Sequence, residues 1–179
     1  MEINLTLHSI RELYSKGIIS PQDLINECFE RIEKVSKNAI WISIKDKKET
    51  IERAKEISSL PKDSNPLWGI PFSVKDNIDV SGLSTTAACP KYSYIPKESA
   101  PIVKRLEEAG AICIGKTNLD QFATGLNGTR SPYGICTSAY NDEFISGGSS
   151  SGSALSVANK QVCFSLGTDT GGSGCIPAA

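Results

Sequence analysis

The stretch SGGSSSGS, residues 146–153, has the composition of a flexible tether, and how it is read decides the fold. A tether joins two self-sufficient segments, yet only residues 154–179 follow it, too few to build a core of their own. Its flanks point the same way. SALSVAN (153–159) patterns as a helix and QVCFSLGTDT (161–170) as a buried strand, so the Gly/Ser run opens a helix inside a folded unit. Glycine admits backbone conformations closed to other residues, and serine both donates and accepts hydrogen bonds, so a packed run of this kind presents converging polar groups. An anion cradle is the other use of such a loop, but neither G-x-x-x-x-G-K-[ST] nor G-x-G-x-x-G occurs here.

Working outward from that run, the preceding residues alternate strand and helix. GIPFSVKDNI (69–78) reads as a strand, SAPIVKRLEEAG (99–110) as a helix, AICIGKT (111–117) as a strand and TNLDQFATG (117–125) as a helix. The first sixty residues are mainly helical. TLHSIRELYSKG (6–17) ends at Gly17; Ser20-Pro21 supplies a cap and first-turn proline; Leu24, Ile25, Cys28, Phe29, Ile32 and Val35 then recur at helical spacing; KKETIERAKEIS (47–58) follows the apolar AIWISI. The expected class is therefore α/β, with a helical segment over 1–60 leading into a core over 66–179.

The 179 residues are 39% hydrophobic and 22% charged, which describes a globular chain and not a disordered one. A net charge of −1 without long like-charged blocks disfavours nucleic acid and anionic membrane surfaces as partners. No eighteen-residue apolar run occurs, and the amphipathic N-terminus mixes acid with base, so the expected location is the cytosol. Six cysteines lie far apart, with no C-x-x-C pair and one histidine, which argues against a zinc site and for reduced cysteines packed as small hydrophobes. No metal and no cofactor are expected.

The second Gly-rich element, GTDTGGSGC (167–175), follows a predicted strand and lines up adjacent backbone N–H groups beside Ser173, as an oxyanion hole requires. A serine there needs a base to become a nucleophile. His8 lies in the first helix with nothing resembling a triad around it, so it reads as a surface histidine. Lys75 is the better candidate because it ends an apolar strand, where burial lowers a lysine pKa. The competing reading of Lys75 is a snorkelling lysine or one paired with Asp76.

GIPFSVKDNI, GGSSSGSA and GTDTGGS, in this order, resemble the amidase signature family. That resemblance implies a mixed central sheet covered by helices, a small amide substrate and a Ser-Ser-Lys triad: Lys75 as base, Ser149 as a bridging serine with a cis peptide, and Ser173 as nucleophile. It further implies an oxyanion hole from the N–H groups of Thr170, Gly171, Gly172 and Ser173, supporting roles for Ser150 and Asp169, and a pocket wall at Phe122, Ala123, Thr124 and Gly125. Within the family, DNIDVSGLSTTAACP and GKTNLDQFATGLNGTRSPYG look more like the allophanate hydrolases of urea breakdown than the glutaminase subunits of tRNA-dependent amidotransferases.

Two departures from the family pattern carry expectations of their own. Cys175 stands where the family usually has an arginine, which predicts loss of a buried ion pair bracing the nucleophile loop. The sequence ends at IPAA, whereas family members are more than twice as long. The sheet is therefore expected to be incomplete on its C-terminal side, closed by a homo-oligomer or a complementing C-terminal half, and the 179-residue chain inactive alone or a non-catalytic remnant.

Overall fold

The computed structural model describes residues 3–35 and 38–179. In chain order, helices α1 (Leu7–Ser15) and α2 (Pro21–Lys34) precede the first strand, β1 (Trp41–Ile44), and α3 (Lys47–Ser58) follows it. Their ends follow from local chemistry. Thr6 accepts from the Ser9 N–H, Ser20 and Asp23 form a reciprocal capping box with Pro21 in the first turn, and Asp46 accepts from the Glu49 N–H. At the end of α1, Gly17 adopts φ 64°, and the Ile18 N–H closes back on the Leu13 carbonyl at 3.0 Å.

Then follow β2 (Pro71–Lys75), α4 (Pro101–Glu108), β3 (Ile112–Thr117), α5 (Ser151–Ala158), β4 (Phe164–Leu166) and the short α6 (Cys175–Ala178). The sheet runs β1-β3-β2-β4; β2 is parallel to both β3 and β4, and β1 is antiparallel to β3. AIWISI therefore contributes an edge strand to the sheet, a role that the helical reading of the first sixty residues left out. TNLDQFATG is not a helix either: only Gln121–Ala123 makes a single 3₁₀ turn. The reason is side-chain competition for the backbone. The Asn118 amide reaches the carbonyls of Ala39 and Gly134, and the Asp120 carboxylate accepts from the N–H groups of Gly128 and Arg130.

The period of two along β2 sorts its residues between the sheet faces. Phe72 and Val74 join Val80, Val103, Ala111 and Cys113 in one apolar cluster, and Phe72 stacks on Phe164 at 5.3 Å. Ser73 and Lys75 point the other way, toward α5. There a chain of hydroxyls replaces apolar packing: Ser73 meets Ser156 at 2.9 Å and Ser165 at 2.6 Å, and Thr117 meets Ser153 at 2.8 Å. Small residues let α5 approach closely; a Cβ on Gly152 would run into the Ile40 carbonyl and the Asn118 N–H. On the same side, α2 and α3 bury Ile25, Phe29, Ala54 and Ile57 against Ile112 and Ile114 of β3.

Candidate active site

Lys75 ends β2 with no exposed surface, and its side chain enters the Gly/Ser loop that precedes α5. Its Nζ lies 2.8 Å from Ser149 Oγ, 2.9 Å from Ser150 Oγ and 2.7 Å from Thr168 Oγ1. An ammonium has three donors, and here each meets a hydroxyl and none a carboxylate. Burial pushes the Lys75 pKa down to about 8, against the opposing pull of Asp120 and Asp169. Pairing with Asp76, the alternative reading from sequence, does not occur: Asp76 lies on the opposite face of the sheet with Lys116.

The three hydroxyls are not equivalent. Ser150 donates to the Thr168 carbonyl at 3.1 Å, so toward Lys75 it is an acceptor. Thr168 also takes a bond from the Asn77 amide at 3.4 Å. Ser149, joined to Gly148 through a cis peptide, has Lys75 as its one side-chain partner among the described residues. Its hydroxyl is thus free to reverse the bond and give a proton to a neutral Lys75. Ser149 is fixed from behind, its carbonyl accepting from the Asp120 N–H at 3.2 Å, while a Cβ on Gly148 would strike the Asp120 carboxylate.

Ser173 is 7% exposed and joins the cluster through its backbone, its carbonyl accepting from the Ser150 N–H at 3.0 Å. The lysine-to-Ser149 half of the expected relay is present as a hydrogen bond. No hydrogen bond joins Ser149 to Ser173 among the described residues, so the second half is open in this conformation. Of the four expected oxyanion donors, Thr170, Gly171 and Ser173 have N–H groups without an intramolecular acceptor among the described residues. The Gly172 N–H is already engaged, donating to Asp169 Oδ1 at 2.6 Å.

Asp169 also accepts from the Cys175 N–H at 3.0 Å. The Cys175 thiol and N–H, with the Gly172 N–H, hold its carboxyl down to about 2. In line with the expected loss of an ion pair at this position, Cys175 is exposed at the start of α6, and the loop is braced by Asp169 bound to backbone N–H groups. His8 is exposed. Phe122, Ala123, Thr124 and Gly125 line the turn beside Asp120, with Phe122 and Ala123 at φ 54° and 56° and the Phe122 N–H bonded to the Ala87 carbonyl at 2.9 Å. An open cleft of about 570 Å³ borders Ser150, Thr168 and Asp169. Sequence reasoning missed Thr168, Asn77 and Asp120. Thr168 stood inside the GTDTGGS motif; Asp120 was hidden by the helical reading of its segment.

Among the described residues no group of three or more His, Cys, Asp or Glu converges as a metal set, and no helix is long and apolar enough to cross a membrane. The mixed sheet with its caged lysine and paired Gly/Ser loops defines a member of the amidase family. The model of that family matches residues 23–179, and the chain belongs to it.

Particular relatives narrow the branch. The chain is 54% identical over 140 residues to urea amidolyase of Saccharomyces cerevisiae, covering 78% of this chain and 8% of that protein. It is 40% identical over 184 residues to a glutamyl-tRNA(Gln) amidotransferase subunit of Exiguobacterium sibiricum, covering 99% of this chain and 38% of that protein. Its fold matches allophanate hydrolase of Kluyveromyces lactis with a TM-score of 0.86 at 44% identity, over 97% of this chain and 29% of that one. The chain thus spans well under half the length of the relatives it matches.

Proposed function

We propose that this chain carries the catalytic centre of an amidohydrolase that cleaves a small linear amide and releases ammonia, with allophanate as the leading substrate. The observation that carries the reading is the Lys75 cage: a buried lysine met only by hydroxyls, with a pKa near 8 and a serine whose proton is uncommitted. Neutral Lys75 takes the Ser149 proton, Ser149 takes the proton of Ser173, and Ser173 Oγ bonds to the amide carbonyl carbon. The N–H groups of Thr170, Gly171 and Ser173 receive the developing oxyanion, joined by Gly172 when substrate displaces its bond to Asp169. Collapse breaks the C–N bond, and the proton returns through Ser149 to the departing ammonia. Water, deprotonated by the same relay, then hydrolyses the acyl-Ser173 ester.

Allophanate is favoured by the urea amidolyase relative and the allophanate hydrolase fold match. Glutamine is the second reading, because the amidotransferase relatives align over nearly the whole chain. The proposed location of the reaction is the cytosol. The test is ammonia release from allophanate and, separately, from glutamine, each against Ser173→Ala. Release from allophanate that Ser173→Ala abolishes supports the first reading; release from glutamine alone supports the second; release that survives Ser173→Ala overturns both.

A further inference from the structure

The mechanism uses one of the two fully buried lysines on the sheet among the described residues. The other, Lys116, lies opposite Val74 on β3 and projects to the face away from the cage. Its Nζ is 3.0 Å from Asp76 Oδ1, with both side chains completely buried. It also donates to Thr85 Oγ1 at 3.1 Å and to the Ser84 carbonyl at 3.3 Å. The second Asp76 oxygen accepts from both the N–H and the hydroxyl of Thr86.

Asp76 is the residue immediately after Lys75, at the point where β2 leaves the sheet. Its N–H donates to the Thr117 carbonyl at 3.1 Å, and the chain then turns, the Ile78 N–H closing on the Lys75 carbonyl at 2.9 Å. The ion pair therefore bolts the end of a five-residue strand to β3 and to the loop over 84–88. That loop holds Ala87 and Ala88 at φ 48° and 56°, and their carbonyls accept from the Phe122 N–H and the Gln121 side chain, each at 2.9 Å. One anchor thus fixes the root of Lys75 and, through the loop, the turn beside Asp120. Stability is a poor reason for the pair, since a buried ion pair is seldom better than apolar packing of the same volume.

We propose that the Asp76–Lys116 ion pair is a positioning element, which holds the end of β2 so that Lys75 reaches Ser149, Ser150 and Thr168 together. Its kinetic consequence rests on the reading of Lys75 as base; its structural consequence does not. Three hydroxyl contacts near 2.8 Å leave little tolerance, and a misplacement of about 1 Å costs on the order of 100-fold in rate. The charged groups acting on Lys75 are Asp120 and Asp169, and substitution of Asp76 and Lys116 leaves both in place.

The test uses the charge-neutral double variant Asp76→Asn/Lys116→Met in the full chain, which leaves no unpaired charge buried. The ¹⁵N signal of Lys75 Nζ is titrated in ¹⁵N-lysine-labelled protein, and ammonia release is measured beside it. The wild type should titrate near 8. In the folded double variant the midpoint moves up toward the ordinary lysine value as Nζ slips from its cage, and kcat falls about 100-fold. A folded double variant with an unchanged Lys75 midpoint and kcat overturns the proposal. Should the double variant not fold, Thr86→Val, which removes one hydroxyl from Asp76, decides in its place: the same upward shift, smaller, supports positioning, and an unmoved midpoint overturns it. A Lys75 shift in a protein whose wild type releases no ammonia upholds positioning and counts only against turnover by this chain alone, so the two failures are separable.

Discussion

Two buried lysines stand on neighbouring strands of one sheet, and they differ in what meets the ammonium. Lys116 lies against the Asp76 carboxylate, whereas Lys75 lies against three neutral hydroxyls. Both are completely buried, so burial alone does not separate a structural lysine from a base. A carboxylate partner compensates a buried ammonium. Hydroxyl partners accept bonds from the charged form and can also return a proton to the neutral one, which leaves desolvation to favour deprotonation.

The sharpest way to break this comparison is to delete each amine in turn and follow the chemistry. Lys75→Met and Ser173→Ala each lower ammonia release by on the order of 10⁴-fold or more, the scale of losing a member of a catalytic unit. Lys116→Met lowers it by no more than the misplacement of Lys75 accounts for. Loss from Lys116→Met equal to that from Lys75→Met, in protein shown to be folded, would reverse the assignment of roles.

Stability sharpens the contrast from the opposite side. Lys116→Met strands a buried carboxylate and costs about 3–5 kcal/mol in urea unfolding. Lys75→Met strands only hydroxyls, each of which costs about 1–3 kcal/mol at most when left unsatisfied, and the loss of the lysine's own desolvation offsets part of that. The two lysines thus rank in opposite orders for rate and for stability.

The pH dependence has a definite sign. The Lys75 pKa is lowered in the fold, so the protonated form dominates below about 8 and activity rises with pH through that midpoint and levels above it. The unfolded chain keeps its proton up to the ordinary lysine value, 10.5, so between pH 8 and 10.5 deprotonation of the folded form adds stability as pH rises. Wild type therefore gains stability relative to Lys75→Met across that window. A difference between the two that does not change with pH would contradict the lowered pKa.

Smaller effects probe the helix that carries the cage. Gly152→Ala places a methyl against the Ile40 carbonyl and the Asn118 N–H, and lowers stability by about 1–3 kcal/mol. Cys175→Ser, at an exposed position where a hydroxyl can take over the thiol's bond to Asp169 and the backbone N–H bond is kept, changes stability by less than about 0.5 kcal/mol. Thermal unfolding checks both.

Much of this arrangement is legible in the residues. Gly/Ser composition with too little chain behind it already excludes a tether, and Lys75 is marked by the apolar run it terminates. The open proton of Ser149 is not legible, because it depends on Ser150 giving its hydrogen to the Thr168 carbonyl. Nor is the partner of Asp76: adjacency suggests Lys75, but the period of a strand sends consecutive side chains to opposite faces, and the true partner comes from β3. The segment 118–125 misleads for a related reason. Its apolar spacing is helical, while Asn118 and Asp120 spend their side chains on distant backbone, and that non-local bonding wins.

The most direct test of the central claim, that caged Lys75 activates Ser173, needs no substrate. The rate of Ser173 modification by a serine-directed sulfonyl fluoride is measured against pH in the wild type and in Lys75→Met. The wild-type rate should climb to a plateau with a midpoint near 8, and the variant should be flat with pH and at least about 100-fold slower, the lower range for loss of a general base. Equal rates in the two proteins, or a wild-type rate indifferent to pH across that range, would contradict the account.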